Sequence, residues 1–281
     1  MLRCETTAEV RSAVAGWRAQ GARVALVPTM GYLHAGHMAL VERAGKLADR
    51  VVVSIFVNPT QFGDPDDLAR YPRDEARDLA MLREAGVDAA FLPAPAEIYP
   101  DGDETIVETT RMANVLHGAV RPGHFRGVTT VVARLFNIVG PDVAVFGEKD
   151  YQQLQIIRRM VRDLHFPLEI EGVPTVREPD GLALSSRNVR LGAEDRAAAT
   201  VLHRALERAE GLARPGATVE ALRGAIEAEM ACEPRAILRG LDIAHPQTLE
   251  PLSGPLEGPA AIMLSAEFGG VLLIDQKVVT P

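Results

Sequence analysis

Two closely spaced histidines stand in the segment 24–44, which reads VALVPTMGYLHAGHMALVERA. His34 and His37 are three residues apart, so at the start of a helix their side chains project to the same side. Imidazole donates hydrogen bonds to phosphate oxygens and stabilises charge that develops there during group transfer. An apolar strand, a glycine-containing turn and two histidines at a helix start therefore favour nucleotide binding.

The loop before this helix adds two features of an anion site. Gly31 and Gly36 let a ligand approach the backbone closely, and the N–H groups of the first helical turn attract negative charge. Two other interpretations of the histidines stay open at this level. They could cap the helix or line the core, or they could share a zinc ion, although no third ligand cluster is visible in the sequence.

Lys149 lies in VFGEKDYQQLQ, where charged residues again follow an apolar strand and a glycine and precede a helix. Lysine is a rare choice in this chain, because only Lys46, Lys149 and Lys277 are found among its 30 basic residues. A compact ammonium suits a position near phosphates. The alternative is an exposed lysine at the end of a strand.

Two further segments carry polar side chains that could contact a substrate. Ser185, Ser186 and Arg187, in ALSSRN, are donors that a segment closing over a triphosphate would need. Asn58 and Gln61, in VNPTQFG, follow the second apolar strand and could orient a polar substrate, or could simply be turn residues. Neither a P-loop pattern nor a G-x-G-x-x-G pattern is present.

The elements that must position these residues alternate along the first part of the chain. Helical patterns cover about 7–20, 37–48, 74–85, 128–139 and 150–163, and strands are expected in RVALVPT, RVVVSIFV, VDAAFLP and DVAVFG. Continuous Val- and Ile-rich runs between amphipathic helices predict a parallel sheet with helices on both faces. This is an α/β, Rossmann-like layout, in which ligands bind beyond the carboxyl ends of the strands.

The pattern changes near residue 175. Two helical stretches at about 193–212 and 218–231 precede strands expected in AILRGLDIAHP, AAIMLSAEF and GVLLIDQ. Helices followed by short strands indicate a smaller C-terminal α+β domain. We therefore predict a Rossmann-like domain over 1–175 and a small domain over 176–281 that closes over the site.

Composition excludes several classes of protein. The 281 residues are 47% hydrophobic, carry a net charge of −8 and contain no polybasic run, so a nucleic-acid partner is not expected. The apolar run VVVSIFV is far shorter than the ~20 residues of a membrane-spanning helix. Cys4 and Cys232 lie too far apart to suggest a disulfide framework, and the N-terminus lacks a secretion signal. These features predict a cytoplasmic protein.

Six strings together resemble a known family. PTMGYLHAGH, FVNPTQFG, YPRD, RPGHFRGV, FGEKDYQQL and DGLALSSRN resemble strings of the pantothenate synthetases, or pantoate–β-alanine ligases, and occur in the family's order over about residues 24–190. This family belongs to the HIGH-type nucleotidyltransferase superfamily. The C-terminal third of the chain resembles it less distinctively.

The resemblance implies ATP-dependent ligation of (R)-pantoate and β-alanine to pantothenate through a pantoyl-adenylate intermediate, with release of AMP and pyrophosphate. It also implies Mg²⁺ as cofactor, a homodimer, and pantoate binding by the domain over 1–175. Two alternatives stay open. One is a nucleotidyltransferase of the same superfamily that acts on a phosphorylated acceptor, and the other is a non-catalytic adenine-nucleotide sensor.

Matching the motifs residue by residue implies a set of ligand contacts. Gln61 and Gln153 are expected to hold pantoate, Gln61 also β-alanine, and Asp78 the metal. Leu184 departs from the methionine that is frequent in the family, and Arg77 stands where a second acidic residue is expected near magnesium. Catalysis is assigned to His34, His37, Lys149, Ser185, Ser186 and Arg187. The implied ATP contacts are Met30, Gly31, Tyr32, Leu33, His34, Ala35, Gly36, His37, Gly147, Glu148, Lys149, Asp150, Val176, Leu184, Ser185, Ser186 and Arg187.

Overall fold

The structure, a computed structural model, describes residues 1–63 and 65–281. In these ranges the strands are β1 (Leu2–Cys4), β2 (Val24–Thr29), β3 (Arg50–Ile55), β4 (Ala89–Phe91), β5 (Val143–Gly147), β6 (Glu169–Val173), β7 (Ile237–Ala244), β8 (Ala260–Phe268) and β9 (Val271–Val279). The helices are α1 (Thr7–Arg18), α2 (Ala35–Leu47), α3 (Pro65–Ala69), α4 (Glu75–Glu84), α5 (Pro95–Ile98), α6 (His117–Val120), α7 (His124–Val139), α8 (Tyr151–Asp163), α9 (Ala193–Ala198), α10 (Val201–Leu212) and α11 (Val219–Ala231).

Strands β1 to β6 form one parallel sheet in the order β1-β4-β3-β2-β5-β6. Alternate residues of β2 point to opposite faces. Ala25 and Val27 pack with Leu40 of α2 and Leu82 of α4 on one face, and α7 packs against β2 with α1 beside it. Strand β2 is buried almost throughout because helices cover both faces, as the Val-rich pattern predicts.

The order of the strands indicates at which edge of this sheet a ligand is expected to bind. Strand β2 pairs with β3 on one side and with β5 on the other, so the winding direction reverses between β2 and β5. Ligands of doubly wound sheets bind beyond the carboxyl ends of the strands at such a reversal. Strands β2 and β5 end at Thr29 and Gly147. The loop Met30–Leu33, which leads to His34 and His37 (the histidine loop), directly follows β2, and the segment that contains Lys149 directly follows β5.

The C-terminal part contains a second, smaller sheet. Strands β7, β8 and β9 are antiparallel, and α10 and α11 contribute buried side chains to the core on one of its faces. Leu202 and Leu222 from these helices cluster with Ile262, Leu264 and Phe268 of β8. The predicted fold class, a Rossmann-like parallel sheet plus a smaller α+β part, is confirmed.

The chain divides into two compact units. The first consists of Met1–Gly147 and Ile156–Val173, and the second of Glu148–Gln155 and Pro174–Pro281. One change of unit falls beside the predicted boundary between residues 175 and 176. The grouping of Glu148–Gln155 with the second unit was not predicted, because these residues directly follow β5 in sequence. Closure of the small domain stays a prediction.

The sequence pattern misplaced some elements. The single helix expected over 193–212 is two helices, α9 and α10, and the Thr200 hydroxyl between them donates to the carbonyl of Ala197 at 2.8 Å. This local hydrogen bond competes with helix continuation. Helix α7 begins at His124, after Gly123 with a φ of 80°, four residues before the expected start. Strand β1 was missed because three residues show no periodicity.

The helices in the described part of the chain are short or amphipathic. None of them has both the length and the apolar character needed to cross a bilayer.

Candidate active site

The loop Met30–Leu33 connects β2 to α2 and contains two consecutive residues with positive φ. These are Gly31, with a φ of 79°, and Tyr32, with a φ of 51°. Glycine adopts this conformation freely, whereas a bulky residue such as tyrosine needs surrounding contacts to hold it there. The backbone N–H groups of Tyr32 and Leu33 each donate to the Asp78 carboxylate at 2.7 Å, which supplies such contacts.

Asp78 was the predicted magnesium ligand, and its geometry does not fit that role. Each carboxylate oxygen accepts one backbone N–H group, and the residue is 1% exposed on α4. Magnesium keeps several waters and needs accessible oxygens in near-octahedral positions. Among the described residues, no group of three or more His, Cys, Asp or Glu side chains could hold a metal ion. The structure therefore supports a structural task for this carboxylate.

The two histidines form a reciprocal cap at the start of α2. His34 is the N-cap residue, and its Nδ1 accepts the N–H of Gly36 at 3.1 Å, while Nδ1 of His37 accepts the N–H of His34 at 3.3 Å. Their ring centroids are 4.1 Å apart. An imidazole whose Nδ1 accepts carries its proton on Nε2 in the neutral form. Both rings are thereby oriented as Nε2–H donors at a helix N-terminus.

Gln61 lies next to the histidine loop in space. It belongs to a 3₁₀ helix at Pro59–Gln61, and its amide nitrogen lies 3.0 Å from the Met30 sulfur. The side-chain oxygen of Gln61 accepts a hydrogen bond from Asn58 at 3.1 Å. The structure thus brings together two predicted contact residues, Met30 and Gln61, that are 31 positions apart.

Asn58 is buried and fixes this corner of the first unit. Its amide nitrogen also donates to the carbonyl of Gly127 at 3.1 Å, and its oxygen accepts from the Tyr99 hydroxyl at 2.7 Å. Burial raises the pKa of that hydroxyl, and hydrogen bonds with Thr60 and Asn58 oppose the rise. Asn58 is therefore a framework residue that orients Gln61.

Lys149 lies in the second unit, in a 3₁₀ helix at Glu148–Asp150. Its side chain is only 19% exposed, and its ammonium donates to the Asp150 carboxylate at 3.1 Å. This burial does not fit the alternative of an exposed strand-end lysine. Gln153 follows on α8 and is half-buried. Glu148–Asp150 packs against β9 of the same unit.

A hairpin in the second unit carries the other predicted nucleotide contacts. Val176 and Leu184 stand opposite each other at its open end, where the N–H of Leu184 donates to the carbonyl of Val176 at 2.9 Å. The half-buried residues Ser185 and Arg187 follow directly, with the N–H of Arg187 donating to the Ser185 hydroxyl at 3.2 Å. The segment is folded into a turn, so its donors are ordered by local structure.

The family model described as pantoate-beta-alanine ligase matches residues 3–278, which is nearly the whole chain. The chain belongs to the pantoate-beta-alanine ligase family.

Individual relatives agree with this membership. Pantothenate synthetase of Agrobacterium fabrum is 51% identical over 98% of this chain and 94% of its own length. The enzyme of Sinorhizobium medicae is 53% identical over 98% of this chain and 95% of its own length. Both relatives match the second unit as well as the first.

Solved structures of the family have the same fold. Pantothenate synthetase from Thermus thermophilus superimposes with a TM-score of 0.94 at 51% identity, and 100% of each chain is covered. Pantoate-beta-alanine ligase from Francisella tularensis, solved in complex with beta-gamma ATP and beta-alanine, gives a TM-score of 0.81 at 35% identity. That match covers 99% of this chain and 97% of the Francisella protein.

The predicted contacts of this family member are divided between the units. Met30–His37, Gln61 and Gly147 belong to the first unit, in which the side chains of Gln61 and Met30 are in contact. Glu148–Asp150, Gln153, Val176 and Leu184–Arg187 belong to the second. Their individual roles toward ligands stay predictions.

Sequence reasoning missed residues that support Gln61. The ring Nδ1 of His124 lies 2.8 Å from the Gln61 carbonyl, and Gly127 lets α7 approach so closely that a Cβ there would lie 2.5 Å from the carbonyl oxygen of Thr60. The string RPGHFRGV, one of the family motifs, contains both residues and was the signal that could have found them. Tyr99 has no comparable signal in the sequence.

Proposed function

We propose that this chain joins pantoate to β-alanine at the expense of ATP, with pantoyl adenylate as intermediate. The observation that carries the proposal is the family match over residues 3–278, which spans both units. The orientation of the two histidines at the start of α2 supports an ATP-using reaction, because it presents Nε2–H donors where an anion is favoured.

The first step activates the acid. A pantoate carboxylate oxygen attacks the α-phosphorus of ATP, a new P–O bond forms, and the bond to the β-phosphate oxygen breaks with release of pyrophosphate. The reaction places negative charge on phosphate oxygens and needs in-line geometry. We assign stabilisation of that charge to His34, His37 and Lys149.

The second step forms the amide. The β-alanine amine attacks the carbonyl carbon of pantoyl adenylate, loses a proton, and AMP leaves with the electrons of the C–O bond. A mixed anhydride hydrolyses readily, so water must be kept out. We propose that Gln61 and Gln153 orient pantoate and that Gln61 also contacts β-alanine.

Three finer points rest on the family resemblance or on composition alone. We propose a homodimer, which sedimentation equilibrium would test by a mass twice that of one chain. Magnesium is proposed to accompany ATP, with no protein ligand assigned, since Asp78 does not fit. The cytoplasmic location stays a prediction.

The proposal is tested by isotope exchange. Purified protein is incubated with ATP, labelled pyrophosphate and magnesium, with pantoate present or absent and without β-alanine. We expect exchange of label into ATP only when pantoate is present, because formation of the adenylate is reversible. Exchange that requires β-alanine would contradict the two-step route. A protein that binds ATP but catalyses no exchange and makes no pantothenate would instead be a nucleotide sensor.

A further inference from the structure

The Asp78 carboxylate faces the backbone of the histidine loop. Its two oxygens accept the consecutive N–H groups of Tyr32 and Leu33 at 2.7 Å each. A carboxylate that accepts two backbone N–H groups makes strong, charge-assisted hydrogen bonds. At 1% exposure, its partners are fixed and little of it is left to solvent or to an ion.

This contact holds a loop that would not adopt its conformation by itself. Tyr32 has a φ of 51°, a conformation that costs a non-glycine residue free energy and persists only where neighbours enforce it. The preceding residue must be glycine, because its φ is 79° and a Cβ at Gly31 would lie 3.0 Å from the Asp78 carboxylate. The Asp78 carboxylate therefore packs directly against the backbone of this loop, with little room for a side chain at residue 31.

Arg77, the neighbour of Asp78 on α4, contacts the same loop. The carbon of its guanidinium group lies 5.4 Å from the centre of the Tyr32 ring, within the range of a cation–π interaction. At the position where the family resemblance suggested a second acidic ligand, this chain has a residue that stacks on the loop. Two consecutive residues of α4 thus fix the backbone and the ring of Tyr32.

The loop in turn sets the position of the histidines. Leu33, whose N–H is bound to Asp78, directly precedes His34, the N-cap residue of α2. A shift of the loop backbone would move both rings, because the N–H of His34 is hydrogen-bonded to Nδ1 of His37. Misplacement of a catalytic group by about 1 Å can cost ~10²-fold in rate.

We propose that Asp78 is a positioning residue that fixes the loop Met30–Leu33 and, through it, the two histidines, and that it is not a magnesium ligand. The catalytic part of this proposal rests on the proposed function. The structural part does not, because it concerns the ligand-free protein.

The test compares Asp78→Asn with Asp74→Asn. The asparagine keeps the size of Asp78 but has one acceptor oxygen, and its amide nitrogen opposes a backbone N–H group. Asp74→Asn is the matched control. The exposed Asp74 side chain caps the same helix by accepting a hydrogen bond from the backbone N–H of Arg77, and asparagine caps a helix equally well. Histidine NMR spectra are recorded without ATP or magnesium, and pyrophosphate exchange is then measured across a magnesium titration.

We expect Asp78→Asn to shift the ring signals of His34 and His37, leave that of His245 in place, and lower exchange ~10²-fold at an unchanged magnesium midpoint. Asp74→Asn should match the wild type in both measurements. Unmoved histidine signals would overturn the positioning role. A magnesium midpoint raised tenfold or more would overturn the proposal in favour of a metal ligand. If the wild type catalysed no exchange, the proposed function would fail while the NMR result still decided the positioning role.

Amide hydrogen exchange of the wild-type protein gives a second test that needs no variant. The N–H groups of Tyr32 and Leu33 should be protected, and magnesium alone should not change their exchange. Unprotected amides, or amides whose exchange responds to magnesium without ATP, would contradict the positioning role of Asp78, even if Asp78→Asn failed to fold.

Discussion

At the scale of single residues, His37 has two separable tasks. Its Nδ1 caps α2 by accepting the N–H of His34 at 3.3 Å, and the proposed function gives its Nε2–H to a phosphate. Capping and catalysis are therefore not alternatives for this residue, since the capping contact fixes the tautomer that catalysis uses.

The two tasks of His37 predict different outcomes for two substitutions. His37→Ala should lower turnover by ~10²–10³-fold, the scale of losing one charge-stabilising donor, and should cost about 1 kcal/mol of stability through loss of the cap. His37→Gln should recover the stability, because glutamine at this third helical position is a standard capping-box residue, but should not recover the rate. Thermal unfolding and single-turnover adenylate formation measure the two effects. Recovery of both by glutamine would reduce His37 to a cap.

Lys149 permits a similar comparison, because Lys46 is a solvent-exposed lysine that can serve as the control. Lys149→Arg keeps the charge but replaces a compact ammonium by a bulkier planar group in a side-chain site that is 19% exposed. We expect adenylate formation to fall by ~10²-fold or more, equivalent to ~2.7 kcal/mol of transition-state stabilisation. Lys46→Arg is the control, since Lys46 is 63% exposed and pairs with Glu42 on α2. A Lys149→Arg rate within about threefold of wild type would contradict a phosphate contact.

At the scale of elements, the hairpin over residues 176–184 is held by three neighbours in its own unit. Arg177 makes two hydrogen bonds to Asp275 of β9, at 2.6 and 2.9 Å. Asp180 in the turn pairs with Arg196 of α9, and Gly181 lies so close to His203 of α10 that a Cβ would overlap the ring. The turn has the Pro-Asp-Gly sequence suited to its geometry.

The Arg177–Asp275 pair should determine how firmly this hairpin is held. The Asp275 side chain is 1% exposed, so Asp275→Asn leaves a guanidinium without its buried counter-charge and should cost ~3 kcal/mol of unfolding free energy. If the hairpin carries ATP contacts, the KM for ATP should rise as well. Asp180→Asn, which breaks the exposed pair with Arg196 on the same hairpin, should cost less than ~1 kcal/mol. Equal effects of the two variants on stability and KM would contradict this ranking.

At the scale of the whole molecule, stability at acid pH depends on carboxylates that are hydrogen-bonded in the folded state. At each of these carboxylates, hydrogen bonds are the largest cause of the lowered pKa. The carboxylates lie at helix starts, in ion pairs and in turns. They are Glu9, Glu42, Glu97, Asp163, Asp180, Glu207 and Glu220. Asp242 on β7 behaves oppositely, because burial raises its pKa and Arg223 only partly offsets the rise.

These shifts predict the pH profile of unfolding. A lowered folded-state pKa contributes stability above the unfolded value, near 4, that is lost as the pH falls through the folded value. Urea unfolding should therefore give a nearly constant free energy between about pH 6 and 8 and a decline below about pH 5. For Asp242 the sign reverses, so Asp242→Asn should be more stable than wild type at neutral pH, with the gain vanishing below about pH 4. A variant gain that persists in acid would exclude burial of the charge as its cause.

The sequence by itself determined what depends on neighbouring residues. The Val-rich runs predicted the parallel sheet, the apolar pattern located β8 at the residues where it lies, and HAGH marked a helix start with two histidines on one side. These features were predictable because strand period, helix period and capping act over a few positions. The family motifs add the expected ligand contacts.

Only the tertiary structure decided what depends on residues far apart in the chain. Asp78 lies 46 positions from Tyr32, and no local pattern distinguishes a carboxylate that will bind backbone N–H groups from one that will bind magnesium. Asp275 lies 98 positions from Arg177, and strand periodicity alone does not say which strand residue will receive a buried guanidinium. A side chain's task follows from the groups that folding brings within hydrogen-bond distance, so these assignments required the folded chain.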